Sequence, residues 1–327
     1  MDTRAVVWSG PKQAEYRTVS LGEPKPGEVL IESVYSLVSP GTEREWLTSD
    51  ESHAVLGTTF PFVPGYSVAG RIAALGEGVT GLAIGDRVVA GPPVGGHAAH
   101  VIAPAAAVFS VPDDVPLRSA VFFNLGATAA HTVRLSGVRL GDSLSIVGQG
   151  PIGLLATQIA AAQGAWPILA LDLDPDRRAA ALAKGASYAA DPTDAAFAET
   201  LAQVGGGTRA TIDLSGVSAG INTALQVTAP LGTAVFSSGM TAPVTLDYGS
   251  LFVKGLTVIG ALVAVRPAEM RQDTENFLRL VATGAVTTPD RDEDVHDPTT
   301  AAQVYQRVLA GDRTLTAPLF AWHQDDH

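Results

Sequence analysis

The most constraining feature of the sequence is a glycine-rich turn between a predicted strand and a predicted helix. Gly148, Gly150 and Gly153 follow the apolar run SLSIV and lead into PIGLLATQIAAAQ, a helical pattern with Pro151 near its first turn. A second predicted strand, WPILALD, ends on Asp172. A strand, a helix and a further strand in this order predict a right-handed crossover and therefore a parallel sheet.

The spacing Gly-x-Gly-x-x-Gly in this setting predicts a dinucleotide site. Gly148 permits the tight turn, Gly150 lets the backbone approach a pyrophosphate, and Gly153 lets helix and strand pack closely. We assign Pro151 and Ile152 to the same site, because the first turn of a helix offers free N–H groups to an anion.

Asp172 favours NAD over NADP. A carboxylate at the end of the second strand accepts hydrogen bonds from the adenosine ribose and repels a 2'-phosphate. Arg177 and Arg178 are the counter-argument, since either would reach a phosphate if the loop bent back, but arginines in a helix such as PDRRAAALAKG are more often solvated. NAD is the expected cofactor, NADP the less favoured one, and Arg177 is retained as a candidate cofactor contact.

A second match to the glycine spacing occurs at Gly76, Gly78 and Gly81, within GEGVTG. The residues that follow, LAIGDRVV, read as a turn and a strand, so no helix opens there. We interpret this match as a glycine-rich turn.

The pattern of predicted strands and helices divides the chain into two parts. Residues 1 to about 120 form short Val- and Ile-rich runs bounded by turn dipeptides, which predict an all-β barrel or sandwich. From about residue 143, strands alternate with helices, which predicts an α/β domain. The last forty or so residues are expected to return to the first domain.

Composition excludes several classes of function. The net charge of −12 has the wrong sign for binding nucleic acid. The chain has no cysteine, so disulfides, thiolate zinc sites and cysteine nucleophiles are excluded. The start of the chain has no signal-peptide core, and the apolar run over 258–265 is too short to span a bilayer, so we expect a cytoplasmic protein without a membrane partner.

Several ordered segments together resemble the medium-chain dehydrogenase/reductase superfamily, which contains the zinc alcohol dehydrogenases. They are VPGYSVAGRIAALGEGVTGLAIGDRVV, GDSLSIVGQGPIGLLATQIAAAQGA and LALDLDPDRRAAALAKGA. The resemblance implies an α/β protein with a GroES-like, β-rich catalytic domain at 1–120, completed by 287–327, and a Rossmann domain with a doubly wound parallel sheet at 121–286. It also implies an active site in the cleft, a small-molecule substrate, and a homodimer or homotetramer formed through the Rossmann domain.

The resemblance also implies where zinc ligands would lie, and this chain departs from that pattern. The matching positions are Ser39, Tyr66 with Ser67, and Asn124, none of which is a thiolate, an imidazole or a carboxylate. The four-cysteine lobe of many relatives is absent. We therefore expect no zinc, and the SPGTE segment with Gly-Tyr in place of Gly-His resembles a zinc-free branch that includes bacteriochlorophyllide a dehydrogenase.

Without zinc, side chains must move the hydroxyl proton and stabilise the oxyanion. Tyr66 is the first candidate, as a hydrogen-bond donor to a carbonyl oxygen or, alternatively, as an aromatic plug. Ser39 and Thr42 either relay protons or hold substrate, or they make only local turn hydrogen bonds. Of Glu43 and Glu45, either one acts as a base or both are exposed carboxylates at the start of a helix. Glu45 is retained as the catalytic candidate.

Two histidines and an asparagine complete the catalytic candidates. His97 and His100 are three residues apart in a predicted strand, so they face opposite sides, and His97 is the better acid/base candidate. Asn124 either contacts the nicotinamide or substrate or caps the helix that follows.

The remaining cofactor contacts are expected at the carboxyl ends of the parallel strands and at the entry to the Rossmann domain. They are Thr128, Ser215, Ser238, Gly239, Ala261 and Leu262. Asp213, close to Ser215, is interpreted as a strand-end turn former.

The leading hypothesis is a zinc-independent, NAD(H)-dependent oxidoreductase that interconverts a secondary alcohol and a ketone on a small or cyclic metabolite, as in specialised metabolism. The alternatives are a zinc-free, NADPH-dependent enoyl or quinone reductase and a catalytically inactive nucleotide-binding protein. Asp172 argues against the NADPH-dependent reductase. A measurement of turnover distinguishes an enzyme from the inactive nucleotide-binding protein.

Overall fold

A computed structural model of the protein describes residues 1–48, 59–239 and 243–323. The chain divides into two compact units, Met1–Asn124 with Thr288–His327 and Leu125–Thr287. In chain order the strands are β1 Asp2–Gly10, β2 Gln13–Ser20, β3 Glu28–Leu37, β4 Val68–Leu75, β5 Arg87–Ala90, β6 His100–Pro104, β7 Val108–Ser110, β8 Leu144–Val147, β9 Ile168–Leu171, β10 Tyr188–Ala190, β11 Thr208–Asp213, β12 Thr228–Phe236, β13 Thr257–Gly260, β14 Val295–His296 and β15 Leu319–Ala321. The helices are α1 Pro40–Thr48, α2 Leu117–Ala120, α3 Phe123–Ser136, α4 Pro151–Gln163, α5 Pro175–Ala183, α6 Phe197–Gln203, α7 Ser218–Val227, α8 Tyr248–Val253, α9 Pro267–Ala282 and α10 Ala301–Ala310.

The first unit is built on a seven-stranded sheet. Its order is β14-β15-β3-β4-β5-β7, with β6 also paired to β3, while β1 and β2 form a separate antiparallel pair. The Val- and Ile-rich strands bury their apolar side chains in one core that includes Val29, Ile31, Val68 and Val88. The returning chain supplies β14, β15 and α10, so the last segment is part of this unit.

Helix α1 forms within the SPGTE segment, where the sequence suggested small polar turn residues. Pro40 occupies the first helical position, for which its fixed φ is suited. The backbone N–H of Glu43 donates to the carbonyl of Ser39 at 2.8 Å, and Oε1 of Glu43 accepts from the N–H of Ser39 at 3.0 Å. The side chain of Glu43 thereby closes the first turn.

The second unit is an α/β domain with a six-stranded sheet. The strand order is β10-β9-β8-β11-β12-β13, and every pairing in it is parallel. All four residues of β8 are buried, as the apolar run SLSIV predicts for a central strand. The prediction of an α/β fold with a doubly wound parallel sheet and a β-rich second domain is confirmed.

The second glycine match behaves as a turn. Gly78 and Gly81 have φ of +77° and +78°, and a side chain on Gly76 would overlap the carbonyl oxygen of Lys25. These residues follow β4, and no helix starts among them. Their glycines serve turn geometry and close backbone approach.

No helix in the described ranges is both long and apolar enough to cross a membrane.

Candidate active site

The turn between β8 and α4 gives each of the three glycines a separate physical role. Gly148 has φ +89°, and a Cβ there would lie 2.9 Å from the backbone of Leu214. A Cβ on Gly153 would overlap the carbonyl oxygen of Gly148, whereas Gly150 faces open space. Position 150 is therefore the one where a ligand can approach the backbone, directly before Pro151 and Ile152 at the start of α4.

Asp172 follows β9 and lies beside this turn. Its Oδ2 accepts from the N–H of Gln149 at 2.7 Å, and its Oδ1 accepts from the N–H of Asp174 at 2.9 Å. Nη1 of Arg177 is 3.9 Å from Oδ2. One carboxylate thus ties the glycine turn to the start of α5, and each oxygen keeps a lone pair for a further donor.

A hydrogen-bonded group joins the carboxyl ends of β11 and β12. Asp213 accepts from the hydroxyl of Ser215 at 2.6 Å and from the hydroxyl of Ser238 at 2.7 Å. Burial raises the pKa of Asp213, and these hydrogen bonds oppose that shift. Ser238 also accepts from the N–H of Gly216 at 2.8 Å, so Asp213 organises the turn after β11, as the sequence suggested.

The other predicted cofactor residues lie close to the same strand ends or in α3. Ser237 donates to the carbonyl of Ala261 at 2.8 Å, next to the exposed Leu262, and Gly239 is exposed after β12. Thr128 is half-buried in α3. Their placement leaves their role in cofactor binding a prediction.

In the first unit, the three positions predicted to match zinc ligands in relatives lie close to one another. The phenol of Tyr66 is near the hydroxyls of Ser39 and Thr42, which act on its pKa. Nδ2 of Asn124 donates to the backbone carbonyl of Tyr66 at 3.1 Å, and the hydroxyl of Ser39 donates to that of Thr42 at 3.3 Å. Asn124 is the second residue of α3, so its alternative interpretation as the residue that caps this helix is wrong.

The surroundings of Tyr66 keep its phenol neutral. Burial raises the pKa of Tyr66 to about 12; the charge of Glu43 adds to this effect, and the hydrogen bonds with Ser39 and Thr42 oppose it. The ring of Trp46 lies against the phenol ring, with centroids 5.4 Å apart. A protonated phenol beside two hydroxyls can donate a hydrogen bond to an anionic oxygen.

Glu43 is fully buried, which corrects the interpretation of this carboxylate as an exposed group at the start of a helix. Its Oε2 accepts from the hydroxyl of Tyr305 at 2.5 Å, and Nε2 of His97 lies 3.2 Å from the same oxygen. Glu45, the predicted catalytic carboxylate, is only half-buried. Of these two carboxylates, Glu43 is therefore the one that is buried and whose charge acts on Tyr66.

His97 is fully buried as well, and its role as a general acid or base stays a prediction. Strand β6 begins only at His100, so the opposite-face argument does not apply to His97. Its Nδ1 is 2.8 Å from the hydroxyl of Ser36, and a side chain on Gly65 would collide with its ring. His97 therefore supports the site through its contacts with Ser36 and Glu43.

Tyr305, Ser36 and Trp322 carry no local signal of their place in this group. Nε1 of Trp322 donates to the hydroxyl of Ser36 at 2.9 Å, which completes a chain of contacts to His97 and Glu43. The useful hint in the sequence was the pair Glu43 and Glu45, because a helix at this segment places only one of them against the core.

The donor set does not suit zinc. Over the described residues, no three His, Asp or Glu side chains are arranged to hold a metal ion. Ser39, Tyr66 and Asn124 offer two hydroxyls and an amide, whereas zinc in proteins takes thiolate, imidazole or carboxylate ligands.

Comparison with known proteins identifies the family. Residues 25–113 match the alcohol dehydrogenase GroES-like domain, and residues 151–283 match the family described as zinc-binding dehydrogenase; together they span well over half of the chain. (R,R)-butanediol dehydrogenase of Bacillus subtilis is 26% identical over 291 residues, which are 79% of this chain and 84% of that protein. The 2-desacetyl-2-hydroxyethyl bacteriochlorophyllide A dehydrogenase of Cereibacter sphaeroides is 31% identical over 192 residues, 54% of this chain and 59% of that protein.

Among solved structures, an alcohol dehydrogenase from Escherichia coli, in complex with the cofactor NADH, shares the fold. Its TM-score is 0.81 at 18% sequence identity, over 98% of this chain and 99% of that one. The fold and the two family matches define a dehydrogenase-type oxidoreductase with a GroES-like and a Rossmann domain. The chain belongs to the medium-chain dehydrogenase/reductase superfamily.

Proposed function

We propose that the protein is an NAD(H)-dependent oxidoreductase that interconverts a secondary alcohol and a ketone of a small or cyclic metabolite without zinc. The observation that carries this proposal is the group formed by Ser39, Tyr66 and Asn124, in which a neutral phenol occupies a position that matches a metal ligand in relatives. The activities after which the relatives are named, such as that of (R,R)-butanediol dehydrogenase, support the alcohol and ketone chemistry.

Independence from zinc is proposed from donor chemistry. The match to the family described as zinc-binding dehydrogenase covers 151–283, which lies within the second unit, while the positions that match zinc ligands lie in the first unit. That match therefore carries no information about ligands in the first unit.

The residues of the first unit supply the proton chemistry. In ketone reduction Tyr66 donates its hydrogen bond to the carbonyl oxygen and then transfers its proton to the alkoxide oxygen as that charge develops. The phenol recovers a proton through the neighbouring hydroxyls of Ser39 and Thr42, which are hydrogen-bonded to each other and of which Thr42 is half-buried. Alcohol oxidation runs the same transfers backwards.

The hydride would be supplied or accepted by a nicotinamide when it is bound. Gly150 and the first turn of α4 would hold its pyrophosphate, and Asp172 would accept from the adenosine ribose. The carboxylate beside the glycine turn supports NAD over NADP, because a 2'-phosphate at that place would meet a negative charge that two backbone N–H groups already hold in position.

The experiment is a comparison of metal-stripped and zinc-supplemented protein. Calorimetry with NADH and NADPH is followed by turnover on a panel of ketones, vicinal diols, enones and quinones. NADH binding with ketone reduction that is indifferent to chelator supports the proposal. Activity that requires added zinc would overturn the zinc-free part, and NADPH-linked reduction of enones alone would replace the reaction class.

A further inference from the structure

The buried carboxylate of Glu43 is held by donors on three sides. The N–H of Ser39 contacts Oε1, the hydroxyl of Tyr305 contacts Oε2, and Nε2 of His97 lies 3.3 and 3.2 Å from the two oxygens. An isolated buried carboxylate is costly, and several hydrogen bonds to the charged form offset that cost.

The direction of these hydrogen bonds follows from Trp322. An indole N–H can only donate, so the hydroxyl of Ser36 accepts from Trp322 and is free to donate to Nδ1 of His97. With that donation, the proton of a neutral imidazole lies on Nε2, which faces Glu43. In this arrangement every member of the chain directs a donor toward the carboxylate.

The same carboxylate is linked to Tyr66 through α1. Oε1 fixes the backbone of Ser39, whose hydroxyl donates to that of Thr42 in the same turn, and the ring of Trp46 in α1 lies against the phenol with centroids 5.4 Å apart. The charge of Glu43 also raises the pKa of Tyr66, and Tyr66 and Glu43 both contribute to the raised pKa of Tyr305.

We propose that Glu43 is a positioning residue for Tyr66, which fixes the Ser39 and Thr42 hydroxyls against the phenol and places one buried negative charge behind it. This role extends the proposed function, on which it rests. It assigns Glu43, rather than Glu45, as the acidic residue of α1 that acts on Tyr66. His97, Tyr305, Ser36 and Trp322 hold Glu43 rather than the substrate.

The test uses the full chain with 3-fluorotyrosine in place of tyrosine and follows Tyr66 by fluorine NMR, with its resonance assigned from Tyr66→Phe. Glu43→Gln keeps the shape of the side chain and removes its charge. The resonance of Tyr66 should move, and its titration should shift to lower pH, because the charge that disfavours the phenolate is gone. Glu77→Gln, an exposed carboxylate change in the same unit, should leave both unchanged.

Turnover gives the second readout. Glu43→Gln should lower kcat for ketone reduction by roughly tenfold or more, with the Kd of NADH changed less than about twofold, since the nucleotide residues belong to the second unit. A shifted Tyr66 titration without turnover in the wild type would support the positioning role and overturn the proposed reaction. An unchanged titration and pH profile, with only a lower melting temperature, would overturn the positioning role. If Glu43→Gln does not fold, Tyr305→Phe removes one donor from the same carboxylate, and an unmoved Tyr66 resonance would again contradict the proposal.

Discussion

The hydroxyl of Tyr305 lies 2.5 Å from Oε2 of Glu43 and joins two residues that are 262 positions apart in the sequence. Tyr305 belongs to α10 in the returning segment, and Glu43 belongs to α1. Burial and the nearby carboxylate raise the pKa of Tyr305 well above its ordinary value, so it remains a donor. The last segment of the chain therefore contributes directly to the electrostatics behind Tyr66.

Replacing Tyr305 with Phe should destabilise the first unit. The ring remains packed, but Glu43 loses one donor, and leaving a buried charged acceptor under-satisfied costs about 1–3 kcal/mol. Urea unfolding measures this loss. Tyr16→Phe, at a tyrosine of the same unit, is the matched control, and an equal midpoint for Tyr305→Phe and the wild type would contradict the contact.

Replacing Tyr66 with Phe should cut kcat at least tenfold, which corresponds to about 1.4 kcal/mol of transition-state stabilisation. NADH binding should be unchanged. A wild-type rate would favour the alternative interpretation, in which the ring of Tyr66 is an aromatic plug.

The pH dependence of ketone reduction should show no alkaline loss from Tyr66 up to about pH 10, because a phenol whose pKa is about 12 stays protonated there. The donor form is present below the pKa and is lost only as the pH rises through it. The measurement is kcat against pH, and a fall near pH 8 that disappears in Tyr66→Phe would contradict the assignment.

Gly150→Ala and Gly153→Ala should affect different properties, the first NADH affinity and the second the stability of the fold. An added Cβ at 150 meets open space, so the free protein should unfold with little change in free energy, while NADH affinity falls because the Cβ occupies the approach to the backbone. An added Cβ at 153 overlaps the carbonyl of Gly148, so the fold itself should be destabilised. Thermal unfolding with and without NADH separates the two, and equal stability of both apo variants would refute this distinction.

Replacing Asp172 with Ser should erode discrimination against NADP and also weaken NADH binding, because Asp172 holds the N–H of Gln149 in the glycine turn. The ratio of the NADH and NADPH dissociation constants is the measurement. An unchanged ratio would remove Asp172 from the ribose site. Asp176→Ser, which alters a neighbouring carboxylate in α5, is the control.

The elements with strong local patterns were predictable from the sequence. The helix that follows the glycine turn runs from Pro151 to Gln163, as its apolar pattern and first-turn proline indicate. The roles of Gly148 and Gly153 were also predictable, because they depend on backbone geometry that the spacing defines.

The support of Tyr66 was not predictable, because it depends on contacts between distant segments. Glu43 and Glu45 are alike in sequence, and only the packing of α1 distinguishes them. The opposite-face argument for His97 and His100 failed because β6 begins three residues later than the alternating pattern suggested. Nothing local to Trp322 or Tyr305 indicates that either contributes to holding a carboxylate near the start of the chain.

We expect the predicted self-association at the exposed sheet edge of the second unit. Among the described strands of its sheet, β13 lies at one end of the order, and Leu231, Phe252 and Val253 nearby are 80%, 71% and 82% exposed. An unpaired edge with exposed apolar side chains favours association with a second copy. Val253→Asp should lower the sedimentation-derived mass toward that of a monomer, whereas Leu140→Asp, at another exposed leucine of this unit, should not; an unchanged mass for Val253→Asp would exclude this surface.

The contacts of Tyr305 and Trp322 also set an order of events during synthesis. Both residues follow the whole second unit in the chain, yet Glu43 precedes it. As the polypeptide leaves the ribosome, the second unit has its complete sequence before Glu43 can meet its last partners. The first unit begun is therefore completed only after the second, because Glu43 acquires its contact with Tyr305 once the returning segment has been synthesised.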